Sequence, residues 1–194
     1  MSNIRRRLIF LPVFLLIACT MPVTKIYTIY IPVEKETLTS KGDSSIAVHV
    51  NSERYLKQPY IAYRRSPYQL EISKYSKWES SPAKIVRKEF KGVFSSQGVF
   101  KEVRVTSFRP EGFYMLKVNL KSFERFDTGN SYSSRLLFDV ALQGPDGTEL
   151  YGDTVSKEVT LDDNSFENLA KGLSSALKQG IEEVSVNVVR AVNQ

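Results

Sequence analysis

Two periods organise this chain: alternation of apolar and polar residues, which predicts strands, and three- and four-residue spacing, which predicts two helices. Residues 25–31 (KIYTIYI), β-branched and aromatic, predict a first strand, and the polar stretch 32–43 predicts a loop. Residues 45–50 predict a second strand with Ile46, Val48 and Val50 on one face and His49 on the other. Pro59 biases Gln58 to an extended conformation, and residues 61–65 read as a third strand. Ser66 and Pro67 turn the chain, and residues 68–73 return with Tyr68, Leu70 and Ile72 on one face.

Ser81 and Pro82 offer a cap and a first-turn proline for a helix. Ile85, Val86, Phe90, Val93 and Phe94 form its apolar stripe, and Gln97-Gly98 its stop. Its opposite face carries Lys84, Arg87, Lys88 and Lys91 and reads as a solvated surface. A meander follows: strands at 103–106, 113–126, 135–143 and 149–160, separated by turns at 109–112, 127–130 and 144–147. Asp146-Gly147 resembles a fragment of a calcium loop but lacks further carboxylates at the required spacing, so it reads as a turn. Asn164 and Glu167 have capping-box spacing ahead of a long stripe from Phe166 through Leu173, Leu177, Ile181 and Val184 to Val188. Gly172 and Gly180 lower helical propensity there and allow close packing. With no repeat and no dividing linker, the expectation is one α+β domain. It has a mostly antiparallel mixed sheet, two main helices on one face, and the other face partly open to a partner.

The amino end follows a different logic. Arg5, Arg6 and Arg7 precede an apolar run, residues 8–18, that is interrupted by Pro12. Eleven helical residues reach about 16 Å, half of a ~30 Å hydrocarbon core. Leu16-Ile17-Ala18-Cys19 closes the run, and Cys19 is the chain's one cysteine. A small residue before Cys, with Leu three positions upstream, is the pattern read by signal peptidase II. Residues 1–18 are therefore expected to be a lipoprotein signal peptide. Cys19 is then the lipid attachment site, carrying diacylglycerol and an amide-linked chain such as palmitate, and 19–24 form a tether before a domain at 25–194. Several acyl chains anchor firmly, since each buried CH₂ contributes about 0.8 kcal/mol. An uncleaved anchor, or a buried helix with a chance cysteine, are the alternative readings.

Removing that leader changes the charge picture. The full chain of 194 residues carries a formal charge of +6, but three of its cations lie in the leader, leaving 24 basic against 21 acidic residues. This mild balance carries no nucleic-acid signature and suits anionic headgroups equally well. An acylated Cys19 leaves the mature chain no thiol for a disulfide, so packing alone must stabilise it. His49 is the only histidine, too few for a two-histidine metal site, and it is read as a plain strand residue. There is no glycine-rich phosphate loop and no G-x-S-x-G elbow. No catalytic residue, metal or cofactor is assigned, and the expected protein is not an enzyme.

Tyr55-Leu56-Lys57-Gln58-Pro59-Tyr60-Ile61, followed by Trp78 just before the first helix, carries a family resemblance. Downstream, the meander and the Ser165-Phe166 start of a helix containing Leu173-Ser174-Ser175-Ala176-Leu177 agree with it. The sequence resembles the ABC-type transport auxiliary lipoproteins, of the PqiC/YmbA type. It departs from their pattern at Gln58, where Arg is common, and at residues 79–83, where an acidic residue with Pro and Leu often follows the Trp. The resemblance implies an envelope lipoprotein serving an ABC ATPase, a permease and an MCE-type substrate-binding protein that move phospholipid or other hydrophobic molecules. It would dock the MCE protein at the membrane, with a ring-forming homo-oligomer as one arrangement.

Thr20, in place of Asp after the lipidated Cys, favours the outer membrane, on the leaflet facing the periplasm. Tyr55, Leu56, Pro59, Tyr60 and Tyr63 form the candidate partner surface, because tyrosine is favoured at interfaces. Ordinary packing at the rim of the sheet is the equal alternative for these tyrosines. The second functional reading is a structural or assembly lipoprotein serving outer-membrane or cell-wall machinery.

Overall fold

The computed structural model describes residues 22–32, 42–129 and 131–193. Leu16, Ile17, Ala18 and Cys19, with the leader, lie outside the described residues, as does most of the loop expected at 32–43. In chain order the elements are β1 Lys25–Tyr27, β2 Ser45–Ser52, a 3₁₀ turn Arg54–Lys57, β3 Tyr60–Ser66 and β4 Gln69–Trp78. There follow α1 Pro82–Ser96, β5 Glu102–Val105, β6 Phe113–Thr128, β7 Ser131–Gln143, β8 Glu149–Leu161 and α2 Phe166–Val192. The fold is α+β, with one mixed sheet of eight strands and both helices on one face.

The 16-residue β6 is the axis. One of its edges pairs antiparallel with β7, which pairs antiparallel with β8. Its other edge is shared by two wings. β2 runs parallel to its first half, from Ser45 opposite Phe113 to Ser52 opposite Leu120, and carries β5 outside it. β3 runs parallel to the second half, with Ala62, Tyr63 and Arg64 opposite Glu124, Arg125 and Phe126, and carries β4 and then β1 outside it. The 3₁₀ turn links the wings beside a β-bulge, where the β6–β7 register shifts between Leu120 and Ser122. An extra residue on β6 resets the alternation. Leu116, Val118 and Leu120 are buried before it, and Phe123 after it. By ladder length the sheet is mostly antiparallel, and the parallel ladders belong to the wings.

The core lies between the sheet and the helices. Ile85, Val86, Phe90 and Phe94 of α1 are buried with Ile46, Val48 and Val50 of β2. Phe90 meets Phe138 of β7 edge-to-face at 5.8 Å, and Trp78 meets Phe123 in the same way at 5.5 Å. Each fully buried side chain of this size contributes about 1.5–3 kcal/mol of transfer free energy. Ser81 and Pro82 start α1, and Gly98 ends it in the left-handed region at φ 66°, which glycine adopts without penalty. The Leu169–Leu173–Leu177–Ile181–Val184–Val188 stripe of α2 is buried throughout. A Cβ at Gly172 would stand 2.6 Å from Leu161 Cδ2 and 2.7 Å from Ser134 Oγ, so glycine there lets the helix sit against β7 and β8.

Three local expectations are corrected. The cap of α2 is Ser165, whose Oγ accepts from the Asn168 N–H at 3.2 Å, rather than Asn164 in a box with Glu167. Asn164 is otherwise engaged: its carbonyl accepts from Arg125 Nη1. The strand expected at 25–31 ends at Tyr27, because the chain then turns toward α2, where the Tyr30 N–H donates to Ser174 Oγ at 3.1 Å. The Tyr68–Leu70–Ile72 alternation does not mark a core face. Tyr68 sits in the hairpin turn, 96% exposed, and Ile72 lies on the helix-free side of the sheet.

Candidate partner surface

The segment singled out from sequence, Tyr55 to Tyr63, connects the two wings and carries three different kinds of residue. Leu56 is buried in the core and supports the turn from beneath, so it is not available to a partner. Pro59 is half-buried, and its carbonyl accepts from the Trp78 N–H at 2.8 Å, pinning the start of β3 to the end of β4. Tyr60 is exposed.

Tyr55 is fixed by chemistry that sequence alone did not show. Its hydroxyl lies 2.9 Å from Glu124 Oε2 and 3.1 Å from the carbonyl oxygen of Lys121, at the bulge of β6. Glu124 in turn accepts from Arg64 Nε at 2.7 Å. The bulge leaves the Lys121 carbonyl out of the ladder, and the phenol satisfies it. Burial and the neighbouring Glu124 carboxylate push the Tyr55 phenol well above its ordinary value, so it stays protonated and donating. Tyr55, Glu124 and Arg64 therefore hold the wings together. Arg64 and Glu124 border a groove of about 450 Å³ on the helix-free face, lined also by Arg135, Leu137 and Glu158.

Tyr63 faces the other way. It and Arg125 are register neighbours on the helix side, and the guanidinium lies 5.1 Å from the Tyr63 ring, 5.3 Å from Phe166 and 6.0 Å from Tyr132. Arg125 also donates to both oxygens of Asp127, at 2.7 and 2.9 Å. This buried pair, enclosed by three rings, ties the amino end of α2 to the end of β6. Side-chain contacts across a bulge leave no periodic signal, which is why neither the Tyr55 nor the Arg125 cluster was foreseen.

The helix-free face of the long hairpins is polar and largely self-paired. Lys121 meets Asp139 at 2.6 Å, with Thr154 Oγ1 donating to the same carboxylate, and Arg135 meets Glu158 at 3.1 Å. Asp146 accepts from the N–H and hydroxyl of Thr148, which makes residues 144–147 a turn, as expected. His49 is half-buried beside Lys117 on this face. Among the described residues, no helix is long and apolar enough to cross a membrane. Of the exposed large apolar residues, Ile26, Tyr60, Tyr68, Ile72 and Tyr75 belong to the β1–β4–β3 wing, and others, Phe108, Leu150 and Val186 among them, are spread over the rest of the surface.

The family model described as the ABC-type transport auxiliary lipoprotein component matches residues 27–185. A solved structure of a Xanthomonas campestris protein is similar, with a TM-score of 0.76 at 17% identity, covering 88% of this chain and 98% of its own. A second solved structure, of an uncharacterized protein, has a TM-score of 0.66 at 15% identity, with 86% and 99% covered. At these identities the two structures show a shared fold. Among curated proteins no relative matches.

Proposed function

The chain belongs to the ABC-type transport auxiliary lipoprotein family, and on that premise we propose that it is a lipid-anchored, non-catalytic component of an ABC/MCE-type system moving phospholipid or other hydrophobic molecules across the bacterial envelope. The observation that carries this reading is the match over residues 27–185, nearly the whole domain, in a chain whose amino end has the Leu16-Ile17-Ala18-Cys19 pattern. ATP hydrolysis is assigned to a separate ATPase, since no phosphate-binding loop occurs in this sequence. Cys19 carries the lipid, and the mature protein faces the periplasm from the outer membrane. The clusters described above support the role of a rigid adaptor: Tyr55, Arg64, Glu124, Arg125 and Asp127 are spent on one another and fix the surface that a partner would meet.

The test is crosslinking in cells followed by identification of the captured proteins. Recovery of an MCE-type protein with its ATPase and permease is the expected result. Recovery of cell-wall or outer-membrane assembly proteins alone would overturn the transport role in favour of the assembly-lipoprotein reading.

A further inference from the structure

β1, β4 and β3 put three residues in a row across adjacent strands. Ile26 is opposite Lys77, and Lys77 is opposite Tyr60. The next pair along β1, Tyr27 and Trp78, faces the helices, where Trp78 is buried. By alternation, Ile26, Lys77 and Tyr60 share the helix-free face. Ile26 is 67% exposed, Tyr60 41% and Tyr75, two residues before Lys77, 52%.

The cations around this row are not committed to carboxylates. Among the described residues, Lys25, Lys74 and Lys77 make no ion pair, whereas the wing's acidic residues Glu71 and Glu79 already have Arg65 and Lys88 as partners. An apolar and aromatic row beside uncommitted cations is the composition that settles at the boundary between headgroups and acyl chains. Anionic headgroups supply the complementary charge.

Chain length says which surface is within reach. Lys25, the first residue of β1, stands six residue steps after Cys19. Fully extended they span about 20 Å, so a lipid on Cys19 holds this wing, and not the far end of the sheet, beside the bilayer. We infer that the helix-free face of the β1–β4–β3 wing, centred on Ile26, Lys77 and Tyr60, rests on the anionic headgroup layer of the membrane that carries the tether. The inference depends on the lipidation of Cys19 proposed above.

The experiment uses the full acylated chain, purified from cells and reconstituted in vesicles of phosphatidylethanolamine and phosphatidylglycerol containing acyl-brominated phosphatidylcholine. Trp78 is the one native tryptophan, and it is buried. A Trp78→Phe background then allows single reporters by Tyr60→Trp, by Tyr75→Trp should the first fail to fold, and by Leu150→Trp at the opposite corner of the sheet. Bromine should quench the wing reporter about threefold more than the Leu150→Trp reporter, and Lys74→Glu/Lys77→Glu or high salt should bring the two together. Equal quenching at both positions in an acylated chain would overturn the docking alone. Chemical crosslinks through Tyr60 to a second copy or to a protein partner, without quenching, would do the same. An unacylated chain by mass spectrometry would remove the tether and the docking with it.

Discussion

Arg125 is a buried charge with many partners. Its guanidinium joins Asp127, the Asn164 carbonyl and three aromatic rings inside the protein. Arg125→Ala leaves a buried carboxylate uncompensated and should lower stability by about 3–5 kcal/mol in denaturant unfolding. The double change Arg125→Met/Asp127→Leu should cost much less than the sum of the two single changes, because no charge is then stranded. Asp139 behaves differently, being accessible to water. The hydrogen bond from Lys121 holds its carboxyl below the ordinary 3.8, against slight burial, with Thr154 adding to the effect. A depressed carboxylate stabilises the fold above its unfolded value, and that contribution is lost as pH falls through the folded value. Lys121→Met should therefore reduce the loss of stability on acidification below about pH 4, by less than ~1 kcal/mol for a solvent-screened pair. Thermal melts across the acid range would check it.

The two glycines of the helices give opposite expectations at the scale of elements. Gly92 in α1 has open space where a Cβ would go, among the described residues, so Gly92→Ala should raise stability by about 1 kcal/mol through helix propensity. Gly172→Ala gains the same propensity but drives a methyl against Leu161 and Ser134. Overpacking of about 1–3 kcal/mol should win, giving a net loss in the same unfolding assay. Helices and long strands were legible in sequence because each buries one periodic stripe: Ile85 to Phe94 and Leu169 to Val188 needed nothing beyond spacing. Position inside an element was less legible. The cap of α2 is Ser165, one residue after Asn164, its Oγ accepting from the Asn168 N–H. Tyr68 and Ile72 alternate like core residues, yet Tyr68 sits in the hairpin turn and Ile72 on the helix-free side of the sheet. Of the candidate surface, Tyr60 is exposed. Leu56 went inward, and Tyr55 and Tyr63 were drawn to charged partners on opposite faces of β6.

For the molecule as a whole, the proposed address rests on one atom, the sulfur of Cys19. Cys19→Ser should abolish lipid labelling and the signal-peptidase-II-processed form, and fractionation should show loss of the mature membrane-bound protein. Normal labelling of that variant would refute the anchor. The α+β class could be read from the order of periodic segments, but the division of the sheet into two wings could not. Nothing local in residues 45–52 or 60–66 says that both strands will share one edge of β6, since parallel pairing is decided by contacts far apart along the chain.

That shared edge sets an order of events in folding. Among the described residues β2 has sheet partners only in β5 and β6, Ser45 meeting Glu102 and Phe113. A polypeptide delivered amino end first thus carries β2 as an unmated ribbon until the middle of the chain has followed it.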